Sequence, residues 1–188
     1  MNTTDIAIDP GRSGGISIRR GEEVVAYPMP DNDSDTLHLL QESIAQARGR
    51  SHSLRAFLEK VGGYVGQPQP GSAMFKFGES YGFVLGVLMA LQVPVILVRP
   101  QKWQAALQLG KASSHPSKAA WKRHLRDEAT RRFPQLRPTL ATADSLLLLA
   151  AANTISPSLT EPCVVENEVE ANPETNQGDT RKDKNEAK

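Results

Sequence analysis

Asp9 ends a short apolar run, Asp5-Ile6-Ala7-Ile8, and is followed by Pro10-Gly11, a pair typical of turns. Its carboxylate therefore belongs at the carboxyl end of a strand. Glu59 closes a second such run, Leu54-Arg55-Ala56-Phe57-Leu58. Asp144 opens the long apolar stretch that continues from Leu146 to Ala152, and so falls on the first turn of a helix. Each acid alone has a plainer explanation: a turn former, a surface residue at a strand end, a helix-start acid favoured by the dipole. Their joint placement suggests chemistry. If the two strands lie side by side and parallel, about 4.8 Å apart, the two carboxylates repel and must share a proton or bind a cation. Asp144 can supply a third hard oxygen ligand, and such a set suits magnesium, with manganese as a substitute. A pair of ions about 3.5 to 4 Å apart activates water and stabilises the leaving oxygen of an in-line phosphodiester displacement. Asp9, Glu59 and Asp144 are thus the candidate catalytic and metal-ligating residues.

The elements needed to hold them are legible from the pattern. Gly14-Gly15 leads into Ile16-Ser17-Ile18, and Gly21 separates this from Val24-Val25-Ala26-Tyr27, so the first strand is followed by two more at hairpin spacing. Leu37, Leu40, Ile44 and Ala47 recur at helical spacing between Thr36 and Arg48. After Glu59 a glycine-rich loop, 61–71, precedes a helix expected over Met74–Leu91, on which Gly78, Gly82 and Gly86 recur every fourth residue. Such a stripe lets another backbone come close, against a helix-propensity cost of about 1 kcal/mol per glycine. The stripe serves either as a dimer interface or as packing on the chain's own sheet. Val95–Val98 is a buried strand closed by Arg99-Pro100, after which a basic loop is expected. A Lys- and Arg-rich helix follows from Ser117 to about Phe133, then the last helix from near Thr142. Three meander strands followed by strands alternating with helices describe an α/β fold, a mixed five-stranded sheet with helices on both faces.

Composition bounds the partners. The 188 residues carry a formal charge of +1, but the charge is unevenly spread. The segment 156–188 holds eight acidic and four basic residues with few large apolar side chains, and reads as a disordered charged tail beyond one domain at 1–155. Between Arg99 and Arg137 stand ten basic residues against only Asp127 and Glu128, which points to a polyanion or to a solvated helix face. The single Cys163 and the absence of zinc-type spacing fit a reducing compartment. The N-terminus does not read as a signal peptide, and Phe83–Val98, interrupted by Gln92 and Pro94, is shorter than the roughly 20 apolar residues of a membrane span. A cytoplasmic location is expected, nucleoid-associated or in a phage-infected cell.

The motifs Ala7-Ile8-Asp9-Pro10-Gly11 with Ser13-Gly14, Leu58-Glu59-Lys60-Val61, Met74-Phe75-Lys76-Phe77-Gly78 with Tyr81-Gly82, Val98-Arg99-Pro100-Gln101-Lys102-Trp103 and Ala143-Asp144-Ser145-Leu146-Leu147 resemble the RuvC-like Holliday junction resolvases, in particular their phage and bacterial crossover-junction endonucleases. The resemblance spans roughly residues 5–152. It implies a ribonuclease-H-like fold and a homodimer that nicks two strands of a four-way DNA junction with magnesium, with Asp9, Glu59 and Asp144 as the matching ligands. Such enzymes usually carry a fourth acid shortly before the last one, whereas Pro138-Thr139-Leu140-Ala141-Thr142-Ala143 has none. On this reading Lys60, Lys102 and Lys118 are candidate phosphate contacts and Tyr64 a candidate stacking platform for an unpaired base. Trp103 reads as a packing residue, and His115 and His124 as surface residues. The principal alternative is a catalytically weak or inactive junction-binding protein. A third, a sugar-kinase-like ATPase suggested by the 9–15 turn, needs a second domain for which the chain is too short.

Overall fold

The computed structural model describes residues 3–60 and 71–155. Its centre is strand β1 (Thr3–Asp9), in which residues 4–8 are buried. It runs antiparallel to β2 (Gly15–Arg20) and parallel to β4 (Ser53–Glu59). Strand β3 (Glu23–Pro28) adds to β2 through a turn at Gly21, whose φ of +60° favours glycine. Strand β5 (Val95–Val98) adds in parallel to β4. The sheet order is therefore β3-β2-β1-β4-β5, the mixed five-stranded sheet that the pattern implied.

Alternation along the strands divides the core. Ala7 and Phe57 face a cluster with Trp103, Trp121, Leu125 and Leu146–Leu149, whereas Ile6, Ile8, Ala56 and Leu58 face Leu40, Ile44, Val84 and Leu88. The first face is covered by α3 (Pro100–Ala106), α4 (Lys118–Arg132) and α5 (Ala143–Ile155), and the second by α1 (Asp33–Gly49) and α2 (Gly71–Ala90). Asn32 and Ser117 cap α1 and α4 by accepting from the backbone N–H of Asp35 and Ala120. α5 is the central helix, with ten of its thirteen residues buried. At the end of β1 away from Asp9, the buried Asp5 carboxylate is held by Arg19 at 3.0 Å and Arg55 at 2.8 Å. Arg19 also donates to the Leu149 carbonyl, which ties α5 to the sheet.

Three expectations need correction or refinement. The basic loop after β5 begins with a helix instead: Pro100 is its first residue, where the missing N–H costs nothing. Seven residues are too few for a periodic signal. The glycine stripe does not pack on the chain's own sheet, because among the described residues a Cβ built at Gly78, Gly82 or Gly86 meets nothing within 4 Å. Third, His115 and His124 are not isolated surface residues: their rings contact each other at 4.8 Å and Trp121 at 4.9 and 5.4 Å. Among the described residues, no helix is long and apolar enough to cross a membrane. The expected tail at 156–188 lies outside the described residues.

Candidate metal centre

The sheet brings the first two acids together by register. Ile8 of β1 pairs with Leu58 of β4 in parallel, so the next residues, Asp9 and Glu59, leave adjacent strand ends side by side. Asp9 is shaped further by the turn that follows. Gly14 N–H donates to the Gly11 carbonyl at 2.8 Å, and this folds the turn back so tightly that a Cβ on Gly14 would lie 2.3 Å from the Asp9 carbonyl oxygen and 2.7 Å from its Cγ. Only glycine fits there. Ser80 of α2 donates to the Pro10 carbonyl at 2.7 Å and anchors the same turn.

Asp144 reaches the site from the opposite layer, on the first turn of α5. The turn before it is closed by Thr139 and Thr142, whose hydroxyls accept from each other's backbone N–H at 3.3 and 3.0 Å. Ser145 then bonds Ser17 of β2 at 2.8 Å. These contacts fix α5 against the sheet with Asp144 only 6% exposed.

Among the described residues, each carboxylate has one oxygen engaged. Asp9 Oδ1 accepts a long bond, 3.4 Å, from Gly11 N–H. Glu59 Oε2 accepts from Trp103 Nε1 at 2.9 Å. Asp144 Oδ2 accepts a short charge-assisted bond from Lys122 Nζ of α4. Asp144 Oδ1, by contrast, is buried with no hydrogen-bond partner among the described residues. An orphan carboxylate oxygen in the interior is costly unless something positive meets it.

The electrostatics point the same way. Burial, reinforced by the negative charge of Asp144, pushes the Asp9 pKa up from 3.8 to about 6, against the opposing pull of Lys122 and the Gly11 N–H. Glu59 is pushed from 4.5 to about 8, first by burial and then by Asp9, although Trp103 and Lys122 favour its charge. Burial works against the Lys122 ammonium, but Asp144, Asp9 and Glu59 together outweigh it and raise its pKa. The three acids thus feel one another strongly. They do not converge on one point, however: among the described residues no three His, Cys, Asp or Glu side chains are close enough to hold a metal ion as they stand. The donor types, acidic oxygens of which one is orphaned among the described residues, are those that a hard divalent cation takes, although Lys122 already sets one positive charge on Asp144.

Lys122 and Trp103 are the site residues that sequence reasoning missed. Trp103 is fully buried, as a packing residue should be, yet its indole N–H also orients Glu59. Lys122 is one of many cations on a basic helix, and its one distinguishing local signal is that it follows Trp121, on the buried side. The three described candidate DNA contacts lie one step from the site. Lys60 follows Glu59 and donates its N–H to Val98, Lys102 precedes Trp103 on α3, and Lys118 stands one turn before Lys122 on α4. Lys102 and Lys118 are exposed and Lys60 is partly so. Tyr64 lies outside the described residues.

No family model matches the sequence, and no curated protein matches it. Among solved structures the chain is similar to one of Thermus thermophilus RuvC, at 16% identity and a TM-score of 0.46, covering 81% of this chain and 96% of that one. It is also similar to T. thermophilus RuvC in complex with Holliday junction substrate, at 16% identity and a TM-score of 0.44, covering 81% and 95% of the two chains.

Proposed function

We propose that this chain is a magnesium-dependent, structure-selective endodeoxyribonuclease that hydrolyses phosphodiester bonds in four-way or otherwise branched DNA. The observation that carries this reading is the buried Asp144 Oδ1, orphaned among the described residues, beside Asp9 and Glu59, two acids whose charged forms are disfavoured by burial and by neighbouring carboxylates. Bound magnesium would supply charge neutralisation at the phosphate and an activated water. Asp9, Glu59 and Asp144 would hold it. Trp103 keeps Glu59 oriented, and Lys122 holds Asp144 Oδ2. Lys60, Lys102 and Lys118 receive the neighbouring phosphates, giving binding that weakens with salt. The exposed lysines favour a polyanion, and the deep, partly protonated acids favour chemistry on it over simple adhesion.

Symmetric nicking of a junction needs two such sites. α2 offers a surface for pairing two copies: Gly78, Gly82 and Gly86 are open, and Phe75 and Met89 are 67% and 65% exposed on the same helix. Large exposed apolar side chains beside a small-residue stripe suit close helix packing between protomers.

The test is cleavage of a synthetic four-way junction in magnesium against a linear duplex of the same sequence. Cutting confined to the junction, lost in Asp9→Asn with binding retained, is the expected result. Wild-type cutting by Asp9→Asn would refute the assignment. A second reading, junction binding without cleavage, is favoured by the non-convergent acids and the missing acid at Ala141. Retardation of the junction on a gel with no cutting in magnesium or manganese would select it.

A further inference from the structure

We propose that a cavity at the far end of β1 from Asp9, walled by Arg19, Arg55 and Arg132, binds a phosphate monoester. It is separate from the acidic centre and does not depend on the nuclease reading. Asp5, which lines it, precedes Asp9 by four residues on one strand, about 13 Å along it.

The cavity measures about 560 Å3. Small-molecule sites commonly span about 300 to 1,000 Å3. Its walls come from distant parts of the chain: Arg19 of β2, Arg55 of β4, Arg132 at the end of α4 and Asn153 near the end of α5.

The cations there outnumber the acids set against them. Arg19 and Arg55 share one carboxylate, that of Asp5, at 3.0 and 2.8 Å. The Asp5 side chain is 5% exposed, against 22% and 15% for the two arginines, so the guanidinium groups meet the opening more than the carboxylate does. Arg132 adds a third positive charge. Its Nη2 donates to the Leu107 carbonyl at 3.3 Å, and its Nε is buried with no hydrogen bond among the described residues. Glu128 stands 3.7 Å from that Nε but bonds Arg131 at 2.7 Å. Glu22, the remaining acid at the cavity, is exposed on the turn between β2 and β3. Three guanidinium groups facing the single buried Asp5 carboxylate leave two positive charges in surplus. Partly buried charge of one sign is costly until a counter-charge meets it.

The chemistry of the wall selects the ligand. A phosphate monoester carries a charge of about −1.5 to −2 near pH 7 and three strong acceptor oxygens, which match both that surplus and the forked donors of arginine. A backbone diester brings a single charge and continues as chain on both sides, which suits an open face better than a recess. Beside the cations, Phe133 and Val24 supply apolar wall, and Gln135 and Asn153 supply exposed amides, so an organic body attached to the phosphate also finds contacts. A mononucleotide and the 5′-phosphorylated end of a DNA strand both present this group.

The experiment titrates the full chain, in chelator, with thymidine 5′-monophosphate and with thymidine, by calorimetry. Saturable binding of one nucleotide per chain and none of the nucleoside is expected. Asn153→Asp places a carboxylate at the rim and Arg132→Gln removes a cation, and neither touches the Asp5 pair. Each should weaken binding by about tenfold or more, the size of one charged hydrogen bond. A DNA hairpin with or without a 5′-phosphate then competes for the site. Displacement by the phosphorylated hairpin alone assigns the site to DNA ends, and displacement by neither assigns it to free nucleotides; both outcomes support a monoester site. Displacement by both hairpins alike overturns the proposal, since internal diesters then suffice. Equal binding of nucleotide and nucleoside, no saturable nucleotide binding, or wild-type affinity in Asn153→Asp or in folded Arg132→Gln overturns it as well.

Discussion

Replacing Glu59 with glutamine is expected to stabilise the metal-free protein, and to do so only where an ordinary carboxyl is ionised. Burial and the repulsion of Asp9 move the Glu59 pKa from 4.5 to about 8. Between those values the folded chain keeps a proton that the unfolded chain has released, so its stability falls as pH rises, at about 1.4 kcal/mol per pH unit. The loss begins at the unfolded value and is complete above the folded one. Its ceiling is about 5 kcal/mol, and because water entry and side-chain relaxation soften the penalty on a buried charge, a gain of about 3 kcal/mol is expected near pH 9. Near pH 5 the two proteins should differ by less than about 1 kcal/mol. Glutamine keeps an oxygen able to accept from Trp103, so the substitution removes the charge with little change in packing. Urea unfolding in a chelator, followed by tryptophan fluorescence, reads the difference directly. Saturating magnesium should then stabilise the wild type more than the variant, since binding to the folded state alone adds stability. An equal gap at both pH values, or a wild type more stable than the variant near pH 9 in chelator, would refute the reasoning.

Gly14→Ala should abolish cutting of the junction, since its Cβ would lie 2.3 Å from the Asp9 carbonyl oxygen and the Asp9 carboxylate must move; a melting curve run alongside separates a displaced acid from an unfolded chain. Asp5→Ala removes the carboxylate from between Arg19 and Arg55, so two partly buried guanidinium groups lose their shared counter-charge, and denaturation should show a loss of about 3 to 5 kcal/mol. Gly82→Leu points a large side chain into open space on α2. It should leave the monomer's melting temperature nearly unchanged and, on the proposed pairing through α2, give monomer where the wild type scatters as a dimer; an unaltered mass would exclude that helix as the interface.

The positions of Asp9, Glu59 and Asp144 were legible in the sequence because each is marked locally. A run of apolar residues stopped by Pro10-Gly11, a second run closed by a carboxylate, and an acid opening a leucine-rich helix are signals contained within a few residues. The order of the elements also followed, apart from α3, whose proline was read as a loop and whose length gives no period. Lys122 stayed hidden for a different reason. Among ten basic residues between Arg99 and Arg137, composition cannot tell which one turns inward. His115 and His124 likewise found their ring partners only through the fold of the 111–124 segment around Trp121.

Local chemistry, then, determined where each acid sits on its own element and that the fold has a mixed sheet. Tertiary structure decided how the acids meet. Parallel pairing of β1 and β4 sets Asp9 beside Glu59, and Ser17 and Ser145 lock α5 over them. The packing of α4 on α5 delivers a lysine 22 residues away in sequence onto Asp144. Burial then raises the cost of the charges on Asp9 and Glu59, a property of surroundings assembled from distant segments that no window of sequence contains.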